Sequence, residues 1–342
     1  MNKCRPGSNS MAPAAHEFAA GREATLRTGC KLNLHLEITG ILPNGYHSLK
    51  TFFLPLPPEP GSPELSDRLR LVPARPGCAG LTVNCCANWF DPQNNTLQKA
   101  YKIYAAEAGR QLPALEIELT KGVPQGAGLG GGSANAAAVL LFLESWNEVY
   151  GLPGLGWESL LRLGARVGAD VPCFILNRPA WAEGIGDLLT PATMPFAGFH
   201  LVLVCPEQEV STAWAYRAWD ELKISTDLAA NLSANFGDSG LTSRDARDSN
   251  FSSALSPPVA LKPDELFNSF ERVVFAHFPA LAGIRQKLLE YGAAGALMSG
   301  SGSSMFGLFE QAGAAKNAAD ALKISGLRVY TRSIPAGASP SW

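Results

Sequence analysis

The stretch that decides the fold runs from Pro124 to Ala138 and reads PQGAGLGGGSANAAA. It stands between a predicted strand, 115–120, and an apolar segment, 133–150, that predicts a central buried helix. Its five glycines allow the backbone to curl so that several N–H groups face an anion, and the following helix N-terminus favours the same charge. We therefore predict a phosphate-binding loop in which Ser133 caps the helix or donates to a phosphate. A flexible turn capped by Ser133 is the alternative.

These glycines match neither of the two commonest nucleotide motifs well. A P-loop needs Lys followed by Ser or Thr after the last glycine, and neither pair follows here. Residues 126–131 satisfy G-x-G-x-x-G, but that fingerprint requires a strand-helix-strand unit and an acidic residue roughly 20 positions on. The segment at that distance, 151–156, reads GLPGLG and offers neither. A dinucleotide-dependent oxidoreductase is therefore the weaker interpretation.

The composition limits the class of protein. The chain has 342 residues, of which 46% are hydrophobic and 17% charged, with a net charge of −2. This length allows two domains, and the balanced charge argues against a nucleic-acid binder. Two uncharged stretches, 122–143 and 291–309, are interrupted by glycines and polar residues, so neither predicts a membrane span. Seven cysteines without a CxxC pair predict reduced thiols and a cytoplasmic protein.

The periodicity elsewhere predicts an α+β protein, because strands are concentrated early and helices are inserted between them. Residues 31–39, KLNLHLEIT, alternate between apolar and polar side chains and predict a half-buried strand. Further strands are predicted at 49–54, 69–72, 81–84, 199–205, 295–299, 305–309 and 327–331, and further helices at 96–108, 157–167, 211–223, 264–277, 280–291 and 314–322. We expect a disordered leader at 1–24, a loop-rich insertion at 224–263 and a tail at 333–342.

Residues 124–138 resemble the nucleotide loop of the GHMP kinases, in particular the family's triple-glycine variant. Other segments match the family in the same order along the chain: KLNL (31–34), NGYHSL (44–49), LGARVGADVPCF (163–174), AEGIGD (182–187), VSTAWAY (210–216) and SGSGSS (299–304). The resemblance implies a two-domain GHMP kinase fold. The N-terminal nucleotide-binding domain would be 25–190 and the C-terminal domain 191–332, with the active site in the cleft between them.

The resemblance also implies the catalytic pair and the ATP site. Asp170 would accept the proton of the acceptor hydroxyl, and Lys31 would keep Asp170 ionised and neutralise charge on the transferred group. Without the resemblance, an aspartate in the setting of Asp170 would more often cap a helix. A strand lysine such as Lys31 would more often belong to a solvated face. The implied ATP contacts are Pro124, Gly126, Gly128, Leu129, Gly130, Gly131, Gly132, Ser133 and Ala134, with Asn95 and Lys121 near the adenine.

The acceptor implied by the resemblance is 4-diphosphocytidyl-2-C-methyl-D-erythritol, phosphorylated on its C2 hydroxyl in non-mevalonate isoprenoid synthesis. Tyr46 and Tyr216 would enclose the cytosine, and His47 would hydrogen-bond the edge of the base. Thr212 would contact the diphosphate or erythritol end, and Asn33 would hydrogen-bond the substrate. Without the resemblance, Tyr46 and His47 would be exposed side chains of a turn, and Tyr216 could equally belong to the core.

We expect Mg²⁺ to be held mainly by ATP phosphates, and no residue is predicted as a metal ligand. Cys30 and Cys173 are predicted to be small buried thiols, since kinases of this type form no covalent intermediate. The chain is expected to be a monomer or weak homodimer without nucleic-acid or membrane partners. Three alternatives remain at this point: a GHMP kinase for another acceptor, a dinucleotide oxidoreductase, and a catalytically silent nucleotide-binding module.

Overall fold

A computed structural model of the chain describes residues 11–74, 79–235 and 261–334. In chain order the elements are α1 (Ala12–Ala19), β1 (Ala24–Thr28), β2 (Cys30–Ile41), β3 (His47–Leu56), β4 (Asp67–Pro73), β5 (Leu81–Cys85), α2 (Thr96–Ala108), β6 (Leu115–Thr120), α3 (Gly131–Val149), α4 (Trp157–Val167), α5 (Val171–Leu176), β7 (Ala180–Glu183), β8 (Leu188–Pro191), β9 (His200–Cys205), α6 (Thr212–Asn235), β10 (Phe267–Asn268), α7 (Glu271–His277), α8 (Pro279–Glu290), β11 (Gly295–Met298), β12 (Met305–Phe309), α9 (Ala312–Ile324) and β13 (Arg328–Ser333). A 3₁₀ turn, Pro263–Glu265, precedes β10.

Three sheets organise these elements, and their strand orders are β1-β4-β6-β5, β10-β2-β3-β7-β8 and β11-β12-β9-β13. The middle sheet joins the two halves of the chain, because β10 pairs in parallel with β2. Strands β2 and β3 form the long antiparallel hairpin predicted from the alternation, and the register shifts between Asn33 and His35. A register shift of this kind re-aims the side chains beside it. The predicted α+β class is confirmed.

Helix α3 lies in the interior of the N-terminal half. Residues 136–140 and 142–143 are buried, with exposures of 3% or less. They pack with α2, α4, α5 and the β1-β4-β6-β5 sheet in one apolar cluster. Since a helix that is apolar all round must be enclosed, the prediction of a central buried helix is confirmed.

The expected leader is wrong for the residues that the structure describes. Helix α1 occupies 12–19 and strand β1 begins at Ala24. Phe18 is buried and meets the Phe142 ring edge-on, with 5.5 Å between the centroids. Ala15 and Phe18 lie one helical turn apart and are both buried in the cluster that contains α3, although they form no conspicuous apolar run in the sequence. Residues 1–10 lie outside the described residues.

The expected insertion and tail also need correction. Helix α6 continues to Asn235, past the predicted end at 223, while 236–260 lie outside the described residues. The helix predicted at 264–277 is broken into the 3₁₀ turn, β10 and the shorter α7, because backbone pairing with β2 holds residues 267–268 extended. At the C-terminus, Ser333 ends β13 and Ile334 is buried, and 335–342 are not described. The division of domains at residue 190 stays a prediction.

None of the helices within the described ranges is both long enough and apolar enough to cross a membrane.

Candidate active site

A cleft of about 1030 Å³ is lined by residues from both halves of the chain. Strands β2 and β3, the 124–130 loop and the start of α3 contribute from the N-terminal half. Helix α6 and the 299–304 turn contribute from the C-terminal half. Every residue predicted for the catalytic, nucleotide and acceptor sites lines this one cleft except Ala134.

The 124–130 loop and the 299–304 turn are packed backbone against backbone. Gly128 has a φ of +73°, and a Cβ there would lie 2.1 Å from the Ser299 carbonyl oxygen. The Ser299 hydroxyl donates to the Gly128 carbonyl at 3.2 Å, and the Ser304 N–H donates to the Ala127 carbonyl at 3.3 Å. The conformation and the close approach both require glycine at position 128.

Helix α3 begins two residues earlier than predicted. Gly130, with a φ of +71°, is its N-cap, so Ser133 lies inside the first turn rather than capping it. Since Gly130 has no side chain to occupy the first amides, they remain available to an anion in the cleft. Ala134 is a correction to the nucleotide contacts: its N–H donates to the Gly130 carbonyl at 3.0 Å, and its side chain packs in the apolar core.

Lys31 and Asp170 form an ion pair at the cleft wall, with 3.4 Å between Nζ and Oδ2. The Lys31 side chain is 4% exposed and that of Asp170 is 32% exposed. Asp170 precedes α5, but its side chain makes no capping hydrogen bond. The alternative interpretation of Asp170 as a side-chain helix cap is therefore wrong. The Lys31 N–H donates to the Leu129 carbonyl at 2.9 Å, which ties β2 to the 124–130 loop.

Asn33 supports Lys31. Its Oδ1 accepts a hydrogen bond from Lys31 Nζ, and its Nδ2 donates to Thr51 Oγ1 at 2.8 Å. The Asn33 N–H donates to Ser299 Oγ at 3.2 Å. Thr51 was not predicted from the sequence, and Ser299 was predicted only as part of the 299–304 segment that matches the family.

The residues predicted to bind the cytidine end of the acceptor also line the cleft. The His47 ring stacks on Tyr216, with 4.4 Å between centroids and 25° between planes, while Tyr46 is 63% exposed. Burial, with a smaller contribution from the charge of Asp170, raises the pKa of Tyr216 to about 12. Thr212 Oγ1 lies 2.8 Å from Ser301 Oγ, and this contact joins α6 to the 299–304 turn.

His47 has a partner that the sequence did not indicate. Its Nε2 lies 2.8 Å from Oδ1 of Asp220, one helical turn beyond Tyr216 on α6. Asp220 is one of several acidic residues on surface helices, and no spacing separates it from the others. The contact fixes the orientation of the imidazole at the cleft wall.

The two residues predicted near the adenine have other partners as well. Asn95 caps α2: its Oδ1 accepts from the Gln98 N–H at 2.9 Å, and its Nδ2 donates to the Asp91 and Pro92 carbonyls. Lys121 Nζ pairs with Asp67, a fully buried carboxylate that sequence reasoning missed. Both predicted residues still line the cleft.

The prediction of buried thiols at Cys30 and Cys173 is confirmed, as both are 0% exposed. Burial raises the pKa of the Cys30 thiol to about 12 and that of Cys173 well above its ordinary range. A neutral, enclosed thiol is a poor nucleophile.

Among the described residues no group of three or more His, Cys, Asp or Glu side chains could hold a metal.

Comparison with known proteins agrees with this geometry. The sequence models of the GHMP kinases N terminal domain and the GHMP kinases C terminal match residues 95–178 and 253–326. A 4-diphosphocytidyl-2-C-methyl-D-erythritol kinase of Nitratidesulfovibrio vulgaris is 46% identical over 90% of this chain and 97% of its own. That of Oleidesulfovibrio alaskensis is 42% identical over 84% and 91%.

A solved structure of 4-(cytidine 5'-diphospho)-2C-methyl-D-erythritol kinase superposes with a TM-score of 0.64 at 31% identity. The match covers 92% of this chain and 100% of that one. Both domain models, the sequence identity over nearly the whole length and the shared fold thus point to one family. The chain belongs to the GHMP kinases, ATP-dependent small-molecule kinases, and within them to the 4-diphosphocytidyl-2-C-methyl-D-erythritol kinase family.

Proposed function

We propose that this chain transfers the γ-phosphoryl group of ATP to the C2 hydroxyl of 4-diphosphocytidyl-2-C-methyl-D-erythritol, a step of non-mevalonate isoprenoid precursor synthesis. The observation that carries the proposal is the Lys31–Asp170 pair on the wall of the cleft that also contains the glycine loop. The names of the relatives support the choice of acceptor.

The nucleotide is held by the backbone of residues 124–130 and the N-terminus of α3. These groups direct N–H dipoles at phosphate oxygens, and no side chain beyond glycine fits at position 128, where the loop meets the Ser299 carbonyl. Lys121 adds a positive charge beside the first turn of α3, since its Nζ lies 3.4 Å from where a Cβ on Gly131 would be. ATP, rather than a nucleoside without phosphates, is the ligand that this arrangement favours.

Asp170 takes up the proton of the acceptor hydroxyl. The hydroxyl oxygen forms a bond to the γ-phosphorus while the bond from that phosphorus to the β,γ-bridging oxygen breaks, and ADP leaves with that oxygen. Lys31 orients Asp170 through their ion pair and offsets negative charge on the equatorial oxygens during transfer. Asn33 and Thr51 hold the ammonium in place, so most of the rate enhancement comes from positioning and electrostatics.

The acceptor's cytidine end binds at the hairpin and α6. Tyr46 and Tyr216 offer aromatic faces to the base, His47 offers a ring nitrogen to its edge, and Thr212 reaches the diphosphate or erythritol portion. The ring of His47 now lies on Tyr216, so binding of the base would require these rings to separate.

Mg²⁺ would neutralise phosphate charge and orient the phosphates when ATP is bound. The cleft presents only two carboxylates among the described lining residues, Asp91 and Asp170. This sparse donor set fits an ion that is held mainly by phosphates and water.

The cytoplasmic location and the monomeric or weakly dimeric state remain predictions.

The test is a coupled ADP-release assay with 4-diphosphocytidyl-2-C-methyl-D-erythritol, mevalonate and homoserine as separate acceptors. We expect acceptor-dependent ADP release with the cytidine compound alone, and its loss in Asp170→Asn. Turnover with either of the other acceptors at a comparable kcat/KM would reject the proposed substrate. Activity that persists in Asp170→Asn would identify a contaminating ATPase or reject the assigned base.

A further inference from the structure

Asp67 is a buried carboxylate that no step of the proposed reaction uses. It is the first residue of β4, and its side chain is 0% exposed. Its Oδ1 accepts hydrogen bonds from the N–H groups of Gly122 and Val123, both at 2.9 Å. Its Oδ2 accepts from Asn135 Nδ2 at 2.8 Å and pairs with Lys121 Nζ. Four donors therefore converge on one carboxylate.

These four donors lie on both sides of the glycine loop. Residues 121–123 lead into the loop, and Asn135 lies in the second turn of the helix that follows it. Asn135 is itself held at its other end, because its Oδ1 accepts from Thr28 Oγ1 at 2.6 Å. A single side chain thus ties the entrance of the loop, its exit and strand β4 together.

The charge of Asp67 matters as much as its hydrogen bonds. Lys121 Nζ lies beside the first turn of α3, where the partial positive charge of the helix N-terminus repels an ammonium group. Asp67 supplies the countercharge that retains the ammonium there. Lys121 is 15% exposed and lines the cleft, so it faces both Asp67 and the space that we assign to the nucleotide.

We propose that Asp67 is a positioning residue for the nucleotide, acting mainly through Lys121 and secondarily through the backbone of residues 122–123. The inference rests on the proposed binding of ATP at the loop and deepens it. Asp67 touches neither reactant. Its removal alters how the loop presents its N–H groups and the Lys121 ammonium.

The sharpest variant is Asp67→Asn, which keeps the shape and the Oδ1 acceptor but places an NH₂ group against two donors. We expect the Kd for a non-hydrolysable ATP analogue, measured by calorimetry, and the KM for ATP to rise about tenfold or more. The KM for the acceptor should stay within about twofold of wild type, because the hairpin and α6 are untouched. In Asp67→Asn/Lys121→Met the KM for ATP should lie within about twofold of that in Lys121→Met alone.

Glu144→Gln is the matched control. Glu144 is another buried carboxylate on α3, and it accepts from the N–H groups of Leu155 and Gly156, away from the cleft. A role limited to stability predicts that both variants lower the melting temperature without changing ligand affinity. We expect Glu144→Gln to behave in that way and Asp67→Asn to weaken ATP binding in addition.

An unchanged Kd for the ATP analogue in folded Asp67→Asn overturns the inference, as does an equal rise of both KM values. If Asp67→Asn does not fold, Lys121→Met alone decides, and a Kd within about twofold of wild type is again the overturning result. Since calorimetry needs no acceptor, a wild-type protein that binds the analogue but phosphorylates none of the acceptors rejects the proposed function while leaving this inference intact.

Discussion

The Lys31 ammonium lies 3.4 Å from the Asp170 carboxylate, yet the two residues differ sharply in exposure. Lys31 is enclosed by the hairpin, the 124–130 loop and the Phe53 ring, whose centroid is 5.5 Å from Nζ. Asp170 is open to the cleft on one side. The enclosed ammonium group thus lies beside a carboxylate that remains accessible from the cleft.

Replacement of Asp170 by Asn should remove the proposed proton acceptor without changing the shape of the site. We expect kcat to fall by roughly 10²–10⁴, the usual contribution of a general base, while the Kd for ATP stays close to wild type. Stopped-time ADP release and calorimetry measure the two quantities. A kcat near the wild-type value would show that another group, or water, accepts the proton.

Gly128→Ala tests the contact between the two glycine-rich segments. The new Cβ would meet the Ser299 carbonyl at 2.1 Å, so the loop or the 299–304 turn must move. Gly126→Ala is the control, because its φ is also positive, at +63°, but its Cβ would meet only the Glu209 side chain, at 3.8 Å. The control should cost about 1–2 kcal/mol of unfolding free energy, from the left-handed backbone alone. Gly128→Ala should cost more, because the backbone contact with Ser299 must also be displaced; equal losses of unfolding free energy in the two variants would contradict the close packing.

Much of this architecture could be predicted because its signals are local. The alternation in β2, the glycine-rich loop and the apolar surface of α3 are each contained within about one element's length of sequence. The errors at the start of α3 and in the 264–277 segment arise where backbone geometry is decided by neighbours. Gly130 begins the helix without a capping side chain, and β10 is held extended by β2.

The supporting residues of the site could not be predicted in the same way. Asp67 and Lys121 are 54 residues apart, and His47 and Asp220 are 173 apart. An isolated Asp in the sequence looks the same whether it is solvated or buried against four donors. The resemblance to a family predicted residues that line the cleft, but it gave no indication of the residues that hold those side chains in place.

Phe18→Ala tests the docking of α1, the element that sequence reasoning missed. Loss of a buried ring packed on Phe142 should lower the unfolding free energy by about 3 kcal/mol. Ile324→Ala is the control, since that side chain is 88% exposed and its removal should change little. Urea unfolding followed by tryptophan fluorescence measures both variants. Equal stability of the two would mean that α1 contributes nothing to the fold.

Thiol labelling tests the enclosed cysteines. Burial raises the pKa of Cys30 to about 12 and that of Cys205 to about 11, so both remain protonated in the folded state at pH 8. Iodoacetamide should label the exposed Cys86 and spare Cys30, Cys173 and Cys205, as judged by mass spectrometry of peptides. Thiols of the unfolded chain ionise at a pH of about 8.5. Below that pH, the contribution of these buried thiols to the free energy of unfolding is therefore fully present. Their contribution should be lost as the pH rises from there through the folded pKa values. Rapid labelling of Cys30 in native protein would contradict the packing.

Tyr46→Ala tests the acceptor end of the cleft. Because the Tyr46 ring is 63% exposed, its removal should leave the melting temperature unchanged. If the ring stacks on the base, the change should weaken acceptor binding by roughly 1–3 kcal/mol, that is, raise its KM by about tenfold, and leave the KM for ATP unaltered. Tyr291→Ala removes another exposed tyrosine, at the end of α8 and outside the cleft, and should alter neither KM. Tyr46→Phe should retain the wild-type acceptor KM, since stacking needs the ring and not the hydroxyl; a rise as large as that in Tyr46→Ala would assign the contact to a hydrogen bond instead.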